Sequence, residues 1–440
     1  MLPDYIAKTK PNPPANRAPW TSNTAPAYAG VFLWVVFYMK LAENTVDRAG
    51  LGVCLLALLV AGVLSYKLYY YVPAMLGMKT GYPLYVVGSS TFGTVGGYLM
   101  PGLLMGLLQV GWFSVGTFVA TNFILNGVGV KPEPATATFA VVAAIWGYLM
   151  AFVGVKGIQY IAKVALFLNM IPAVVVLLVF FNTMGGLSSY APAKNEPWSA
   201  FSLLVAAVIG FFATAGAAGA DFGMNSRDER DVRLGGWVGI TVAILYAGGL
   251  PLLSVAGAHG LDPALSSYSY DAVIARMGGF LAPAMFILFT IASIPSACFC
   301  SFIAANSFST MIPGIPRMGS TMAAMTVAII LAITGKAADL IGFFSIVGAS
   351  FGPICGAMAA DYLLSGKRWA GPRKGINWAG YGAWALGFIV GILPFLPLPE
   401  DAKMYTQPAV VYSFVVGFLV YSGLAKLGLE PETLNPVLRM

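Results

Sequence analysis

The sequence predicts an all-α membrane protein with about twelve transmembrane helices, and three observations support this class. Hydrophobic residues make up 58% of the 440 residues and charged residues only 9%, whereas soluble proteins carry roughly 25% charged residues. The hydrophobic residues fall in runs long enough to cross a bilayer, which takes about 20 helical residues. Most of the Lys and Arg residues lie between these runs. A single polytopic domain is therefore expected.

Twelve apolar runs, numbered span 1 to span 12 in chain order, are predicted to cross the membrane. They cover residues 27–44, 51–73, 96–127, 136–154, 162–183, 200–220, 235–256, 280–304, 318–335, 340–363, 378–397 and 408–426. Residues 1–25 are polar and Pro-rich without an apolar core, so we expect a disordered tail and not a signal peptide. Residues 26–427 would form the transmembrane domain, and residues 428–440 a second tail.

The distribution of positive charge predicts the orientation. If the N-terminus lies inside, 17 of the 24 Lys and Arg residues fall on the inner side. Cytoplasmic loops carry such an excess, so both termini are expected in the cytoplasm of a plasma membrane, the inner membrane in a bacterium. The net charge of +7 follows from this bias. The basic loops suit anionic lipid head groups, and nothing in the pattern indicates nucleic acid or an obligate protein partner.

Enzymatic chemistry is not expected. The only histidine is His259, and all four cysteines, Cys54, Cys298, Cys300 and Cys355, fall in apolar runs, where thiols usually pack as small hydrophobes. Neither clustered metal ligands nor a nucleophile beside a base is recognisable, and no ATPase motif occurs. No cofactor is predicted, and energy for any transport would come from an ion gradient.

The end of span 6 predicts a break in the helix. A run of Gly and Ala at residues 215–220 precedes a charged loop. Backbone leaves a helix at membrane depth only where it is buried in protein or lines a wet cavity. Discontinuous helices of transporters bind their substrates at such points. We therefore expect spans 1 and 6 to be broken near the bilayer midplane; the alternative is a small-residue helix contact.

The order of the spans suggests two related halves. Spans 1–5, about residues 27–183, and spans 6–10, about residues 200–363, each begin with a helix that carries an unusual feature. Because five is odd, the second half would start from the opposite side of the membrane. This is an inverted repeat with the binding site between its first helices. Spans 11 and 12, about residues 378–426, would be additional.

Span 3 carries the first candidate substrate residues. Gln109, Trp112 and Gly116 are spaced i, i+3, i+7 and share one helix face. An indole beside an amide suits a flat heterocycle, which it can stack on and hydrogen-bond. The alternative is an interface anchor, the usual role of a membrane Trp. Trp112 lies midway along its span, where an anchor has no function.

Spans 6 and 8 add weaker candidates. Phe212 could supply a second ring and Thr214 a hydroxyl or free backbone beside the predicted break. Taken alone, Phe212 fits packing better than a site role. In span 8, Ser301 Oγ and the Ala297 carbonyl one turn earlier could hold Na⁺, because hard cations prefer oxygen ligands. The alternative for Ser301 is a bond back to its own helix. Asn306 offers an amide near the end of this run.

Span 1 carries two charges, Lys40 and Glu43. A charge within a span is costly and usually functional. The alternative is that span 1 ends near Met39 and leaves both residues in water.

Several short stretches together resemble the nucleobase–cation symporter-1 family, which has the LeuT-like fold. They are Lys79-Thr80-Gly81, Phe92-Gly93 with Gly96 and Pro101, Gly111-Trp112-Phe113, Asp221-Phe222, Ala304-Ala305-Asn306, Asp361-Tyr362 and Asn377-Trp378. They occur in the family's order across nearly the whole chain. The resemblance implies an inverted repeat of five plus five helices with two extra helices.

The resemblance also implies roles for particular residues. Substrate would contact Gln109, Trp112, Phe212, Thr214 and Asn306, and sodium would lie at Ala297, Cys300 and Ser301. Several positions depart from the family pattern, and Gly219 and Phe302 are two of them, standing where Asn residues are usual. Gly116 replaces the Gln of the hydantoin carriers, Cys300 replaces a hydroxyl, and Lys40 is unusual on span 1. A buried Lys40 near the sodium position would make coupling proton-dependent or absent.

The expected function is therefore import of a nucleobase or a related planar heterocycle by a secondary transporter coupled to Na⁺ or H⁺. An alternative within transport is a LeuT-like carrier for an amino acid or another organic ion, which Lys40 facing an anionic substrate would favour. A channel or a membrane sensor is the alternative from another class. A channel would carry continuous polar stripes and a sensor a soluble output domain, and the sequence indicates neither.

Overall fold

The structure is a computed structural model that describes residues 2–33, 39–265, 267–312 and 314–434. Nine helices within these residues are long and apolar enough to cross a membrane. They are Leu51–Thr80 in span 2, Tyr98–Gly127 in span 3, Ala137–Lys156 in span 4, Phe167–Ser189 in span 5, Pro197–Ala217 in span 6, Glu229–Leu261 in span 7, Leu281–Met311 in span 8, Gly342–Leu364 in span 10 and Ala409–Lys426 in span 12.

Shorter helices complete the predicted set of spans. Span 9 is Arg317–Ile333 and span 11 is Trp378–Gly391, while span 1 begins as the helix Thr24–Phe32. The predicted break of span 1 falls on residues 34–38, which lie outside the described residues. Four short helices join the spans, namely Leu84–Phe92, Gly219–Gly223, Tyr270–Met277 and Glu400–Tyr405. The predicted all-helical membrane class is confirmed.

Local signals explain where several spans begin and end. Thr136 Oγ1 accepts a hydrogen bond from Phe139 N at 3.3 Å at the start of span 4. Asp228 does the same for Asp231 N at 2.8 Å before span 7. Such N-caps satisfy amide groups that lack a partner in the first helical turn. Span 2 ends at Gly81, whose φ of 72° is the left-handed conformation that glycine adopts without strain.

The break in span 6 falls inside the predicted run of Gly and Ala. The helix runs without interruption from Pro197 to Ala217, and the chain departs from helix only at Ala218 before the short helix Gly219–Gly223. Ala218 is one of residues 215–220, so the interruption lies where the sequence predicts it. Its depth relative to the bilayer midplane stays a prediction.

The N-terminal tail is also not the disordered segment that its composition predicted. Tyr5 is buried, and its hydroxyl donates to the carbonyl of Thr94 at 2.9 Å. Further along, Arg17 Nη1 donates to the carbonyl of Met78 at the end of span 2 at 2.7 Å. Long-range hydrogen bonds and buried rings therefore fix residues 2–23 against the bundle, which composition alone does not reveal.

A group of buried polar side chains joins spans 10 and 12 to the loops beside them, at the predicted cytoplasmic end. Asp361 accepts hydrogen bonds from Ser90 Oγ at 2.7 Å, Thr91 Oγ1 at 2.9 Å and Arg373 Nη1 at 2.9 Å. Arg373 Nη2 also pairs with Glu430 at 2.9 Å. We refer to Ser90, Thr91, Asp361, Arg373, Tyr421 and Glu430 as the Asp361 network.

Candidate substrate site

The centre of the bundle holds three aromatic side chains around Trp112, which is only 4% exposed. Its indole ring lies 5.1 Å from the ring of Phe211 and 5.1 Å from that of Phe343, both edge to face, and 5.2 Å from that of Phe344. We call these four residues the ring cluster. Centroid distances of 4.5–7 Å with tilted or perpendicular planes are the favoured arrangements of aromatic pairs. The cluster joins spans 3, 6 and 10.

Two glycines allow the three helices to approach so closely. A Cβ atom at Gly111 would lie 2.3 Å from the Phe343 ring, and one at Gly210 would lie 2.4 Å from the carbonyl oxygen of Phe344. Small residues at helix contacts let backbones approach in this way. Each glycine directly precedes a member of the ring cluster, Trp112 and Phe211 respectively. The positions of the rings therefore depend on residues that carry no side chain.

Buried polar side chains border the ring cluster on two helices. Gln109 precedes Trp112 by three residues, and Thr214 follows Phe211 by three, so each shares a helix face with its ring. Gln109 is 6% exposed, and its amide nitrogen contacts Met105 Sδ at 3.7 Å. Sulfur is a weak acceptor, so the amide retains most of its hydrogen-bonding capacity. Helical spacing therefore puts Gln109 on the face of span 3 that carries Trp112, and Thr214 on the face of span 6 that carries Phe211.

A shared substrate pocket would place Phe212 beside Trp112, but Phe212 packs against span 1 instead. It is fully buried, stacks on Phe32 at 5.5 Å and lies 5.6 Å from the Tyr28 ring, both in span 1. Consecutive residues point about 100° apart around a helix. Phe211 is therefore the span 6 ring that contacts Trp112, and a substrate role for Phe212 stays a prediction.

Sequence reasoning did not find Phe211, Phe343 and Phe344. A signal for Phe211 was present, because its spacing to Thr214 repeats the spacing of Gln109 to Trp112. For Phe343 and Phe344 no local signal exists, since their role depends on the approach of span 10 to spans 3 and 6.

Asn306 lies apart from the buried cluster. Its side chain is exposed, while the preceding Ala305 is fully buried. The following residue, Ser307, donates its hydroxyl to the carbonyl of Gly102 at 2.6 Å and so faces span 3. Contact between Asn306 and substrate stays a prediction.

The three candidate sodium residues are buried within span 8. Ala297 is 3% exposed, Cys300 8% and Ser301 not at all. The Ser301 hydroxyl donates to the carbonyl of Cys298 at 3.0 Å, and it lies against Met150 of span 4. This is the bond back to its own helix that formed the alternative interpretation. In the described part of the chain, no group of three or more His, Cys, Asp or Glu side chains could hold a metal ion.

Lys40 lies at an end of span 1 and not in its middle. The helical residues around it stop at Leu41, and its ammonium is 2.8 Å from both carboxylate oxygens of Glu43. Both side chains are partly exposed, at 33% and 26%. The structure thus favours the interpretation in which the span ends near Met39. Because the Lys40 ammonium already pairs with Glu43, the structure does not support a role for Lys40 in place of the coupling cation.

Asp221 follows the interruption of span 6. Its carboxylate accepts a long hydrogen bond, 3.4 Å, from the amide of Leu84 at the start of the short helix Leu84–Phe92. Burial raises the pKa of this carboxyl from 3.8 to about 6, and the backbone hydrogen bond offsets only part of the rise. At neutral pH Asp221 therefore carries a negative charge that its burial destabilises. This residue lies outside the spanning helices.

Comparisons with known proteins agree with this architecture. The family model for "Permease for cytosine/purines, uracil, thiamine, allantoin" matches residues 11–420. The cytosine permease of Escherichia coli strain K12 is 27% identical over 335 residues, which cover 72% of this chain and 73% of the relative. That of E. coli O157:H7 is 28% identical over the same shares.

Solved structures show the same fold. Mhp1, a nucleobase-cation-symport-1 family transporter in a closed conformation with bromovinylhydantoin bound, matches with a TM-score of 0.71 at 14% identity. The match covers 97% of this chain and 95% of that one. The inward-facing conformation of Mhp1 matches with a TM-score of 0.69 at 14% identity, over 97% and 96% of the two chains.

Fold and site together define a multi-pass membrane transporter and not an enzyme. The chain belongs to the family of permeases for cytosine/purines, uracil, thiamine and allantoin. The resemblance drawn from the sequence motifs and the LeuT-like fold that it implied are both confirmed.

Proposed function

We propose that the protein is a secondary active transporter that imports a nucleobase or a closely related planar heterocycle, with cytosine as the first candidate. The observation that carries this proposal is the ring cluster around Trp112, bordered by the Gln109 amide and Thr214. None of these six side chains is charged, so the site suits a neutral flat ring better than an amino acid or an organic ion. The named relatives are cytosine permeases.

In the proposed mechanism, the substrate ring replaces an aromatic neighbour of Trp112. Stacking of the substrate on the Trp112 indole would compensate for the lost contact between Trp112 and that neighbour. The Gln109 amide and the Thr214 hydroxyl would bind the polar edge of the base. A buried amide left without a partner costs about 1–3 kcal/mol, so a substrate that hydrogen-bonds Gln109 gains this energy. Binding then shifts the population from the open to the closed state through differential affinity.

The experiment measures cytosine and purine binding to purified protein with Trp112→Leu, and with Trp146→Leu as the matched control. Both indoles are buried, at 4% and 9% exposure, but Trp146 lies in span 4 outside the ring cluster. We expect Trp112→Leu to lower affinity at least several-fold, since an aromatic pair contributes about 0.5–1.5 kcal/mol beyond area burial. Equal affinity in both variants, with both eluting as folded monodisperse protein, would contradict the site.

Coupling to Na⁺ at Ala297, Cys300 and Ser301 is our preferred proposal, with H⁺ as the alternative. The deciding measurement is substrate affinity in Na⁺ and in choline at two pH values. If Na⁺ is the coupling ion, Ser301→Ala should remove the sodium dependence. Ser309→Ala is the control, because this hydroxyl donates to the carbonyl of Ala305 at 2.7 Å in the same helix. Affinity that is insensitive to both Na⁺ and pH would leave a uniporter.

A further inference from the structure

A groove of about 240 Å³ lies between spans 1 and 7, and no member of the ring cluster lines it. Its lining is Ala29, Leu33, Val238, Val242, Ala243 and Tyr246. The one polar group among these side chains is the Tyr246 hydroxyl, which already donates to the carbonyl of Ala173 in span 5 at 3.0 Å. Val238 and Val242 are 38% and 54% exposed on the outer surface of the bundle. The groove therefore offers an apolar surface and suits an acyl chain better than a polar solute.

Aromatic rings hold a cation, and one of these rings belongs to Trp237, the residue before Val238 of the groove. Lys67 Nζ is 4.6 Å from the centre of the Tyr66 ring, 5.6 Å from that of Trp237 and 5.8 Å from that of Tyr71. Contacts with ring faces attract a cation without neutralising its charge. No ion pair joins Lys67 to a carboxylate within the described ranges. Its positive charge is therefore available to an anion.

Along its exposed side, span 7 carries first a charged residue, Arg233, then Trp237, and then the groove residues Val238 and Val242. Arg233 is exposed and precedes Trp237 by one turn, although it shares its charge with Glu229. Val238 and Val242 follow on the same exposed side. At 1.5 Å per residue, Arg233 and Val242 are about 13 Å apart along the helix axis. Head group charges, an interfacial Trp and acyl chains occur in this order across one leaflet.

We propose that this surface is a specific site for one anionic phospholipid. Its phosphate would lie between Lys67 and Arg233, and one acyl chain would occupy the groove along Val238 and Val242. Basic residues between helices at the cytoplasmic side favour anionic lipids, and the positive-charge distribution predicts this side for both residues. A second copy of the chain is the competing occupant, but an unneutralised Lys67 would oppose contact with the equally basic surface of that copy.

The experiment uses the full chain in nanodiscs of phosphatidylcholine with or without phosphatidylglycerol, and native mass spectrometry counts the lipids retained. We expect retained phosphatidylglycerol to fall about five-fold in Lys67→Gln, because one Lys near an anionic surface contributes about 1 kcal/mol. Lys426→Gln is the matched control, an exposed cation in the last turn of span 12. Retention of phosphatidylcholine should stay the same in all variants.

A second variant tests the groove separately from the charge. Val242→Phe should fill the groove from its exposed wall and lower retained phosphatidylglycerol while Lys67 remains. Glycerol phosphate in excess, which has the phosphate but no acyl chain, should not displace the lipid. The proposal is overturned if Lys67→Gln and Lys426→Gln retain equal phosphatidylglycerol, if glycerol phosphate displaces it, or if dimers that need Lys67 form without lipid.

Discussion

The ring cluster and the Asp361 network both join spans that are distant in sequence, but by different forces. Around Trp112, spans 3, 6 and 10 meet through ring contacts at 5.1–5.2 Å. Around Asp361, one buried carboxylate accepts three hydrogen bonds of 2.7–2.9 Å, one of them from the buried Arg373. The first region is held by surface contact and the second by charge.

Under the proposed function, this difference predicts which region rearranges during transport. An aromatic contact contributes about 0.5–1.5 kcal/mol beyond area burial, and a flat substrate can replace one ring with little loss. A buried ion pair behaves otherwise, since removal of one partner leaves an uncompensated charge and costs about 3–5 kcal/mol. We infer that the centre opens and closes around substrate while the Asp361 network stays intact.

The largest expected effect comes from breaking the Asp361 network. Asp361→Asn removes the buried one of the two carboxylates that Arg373 faces and leaves only the partly exposed Glu430. Loss of a full buried pair costs about 3–5 kcal/mol, so the unfolding free energy should fall by up to about that amount. Thermal unfolding of the purified protein measures the change. Glu133→Gln is the control, because the Lys131–Glu133 pair is exposed and such pairs contribute about 0–1 kcal/mol. Equal midpoints for the two variants would show that the network is no stronger than a surface pair.

A smaller effect is expected from the two adjacent rings of span 6. Phe211→Leu should weaken cytosine affinity about two- to twelve-fold, the equivalent of one aromatic contact. Phe212→Leu makes the same chemical change on the face that packs on Phe32 of span 1 and should leave affinity nearly unchanged. Isothermal titration calorimetry of both variants with cytosine measures the two affinities. The reverse result would assign the substrate ring to Phe212, as the sequence resemblance implied.

The smallest effect concerns Asp221 and depends on pH. Burial raises its folded pKa to about 6, above the ordinary 3.8, so the folded state binds the proton more tightly than the unfolded state. The resulting destabilisation is fully present above about pH 6 and decreases as pH falls towards 3.8. Asp221→Asn, which keeps an oxygen acceptor for the Leu84 amide, should raise the unfolding midpoint at pH 8 more than at pH 5.

The control for Asp221 is Asp4→Asn, whose side chain is 79% exposed. Removing this charge should change the midpoint equally at both pH values. A stabilisation by Asp221→Asn that is the same at pH 5 and pH 8 would contradict the assignment of the effect to the buried charge.

The membrane class and the central position of Trp112 followed from the sequence. Each depends on local quantities, namely the length of an apolar run and the place of a residue within it. The spacing of Gln109 and Trp112 on one face also followed, because helical periodicity is local. The disorder predicted for residues 1–25 was wrong, because Tyr5 is held by a hydrogen bond to Thr94, 89 residues away.

Only the tertiary structure decided which side chains surround Trp112. A sequence gives the angle between Phe211 and Phe212 around span 6, but not the rotation of that helix relative to span 3. That rotation is set by close approaches such as Gly210 to the backbone of Phe344 and Gly111 to the ring of Phe343. Packing of this kind is a property of several helices at once, so no single span contains it.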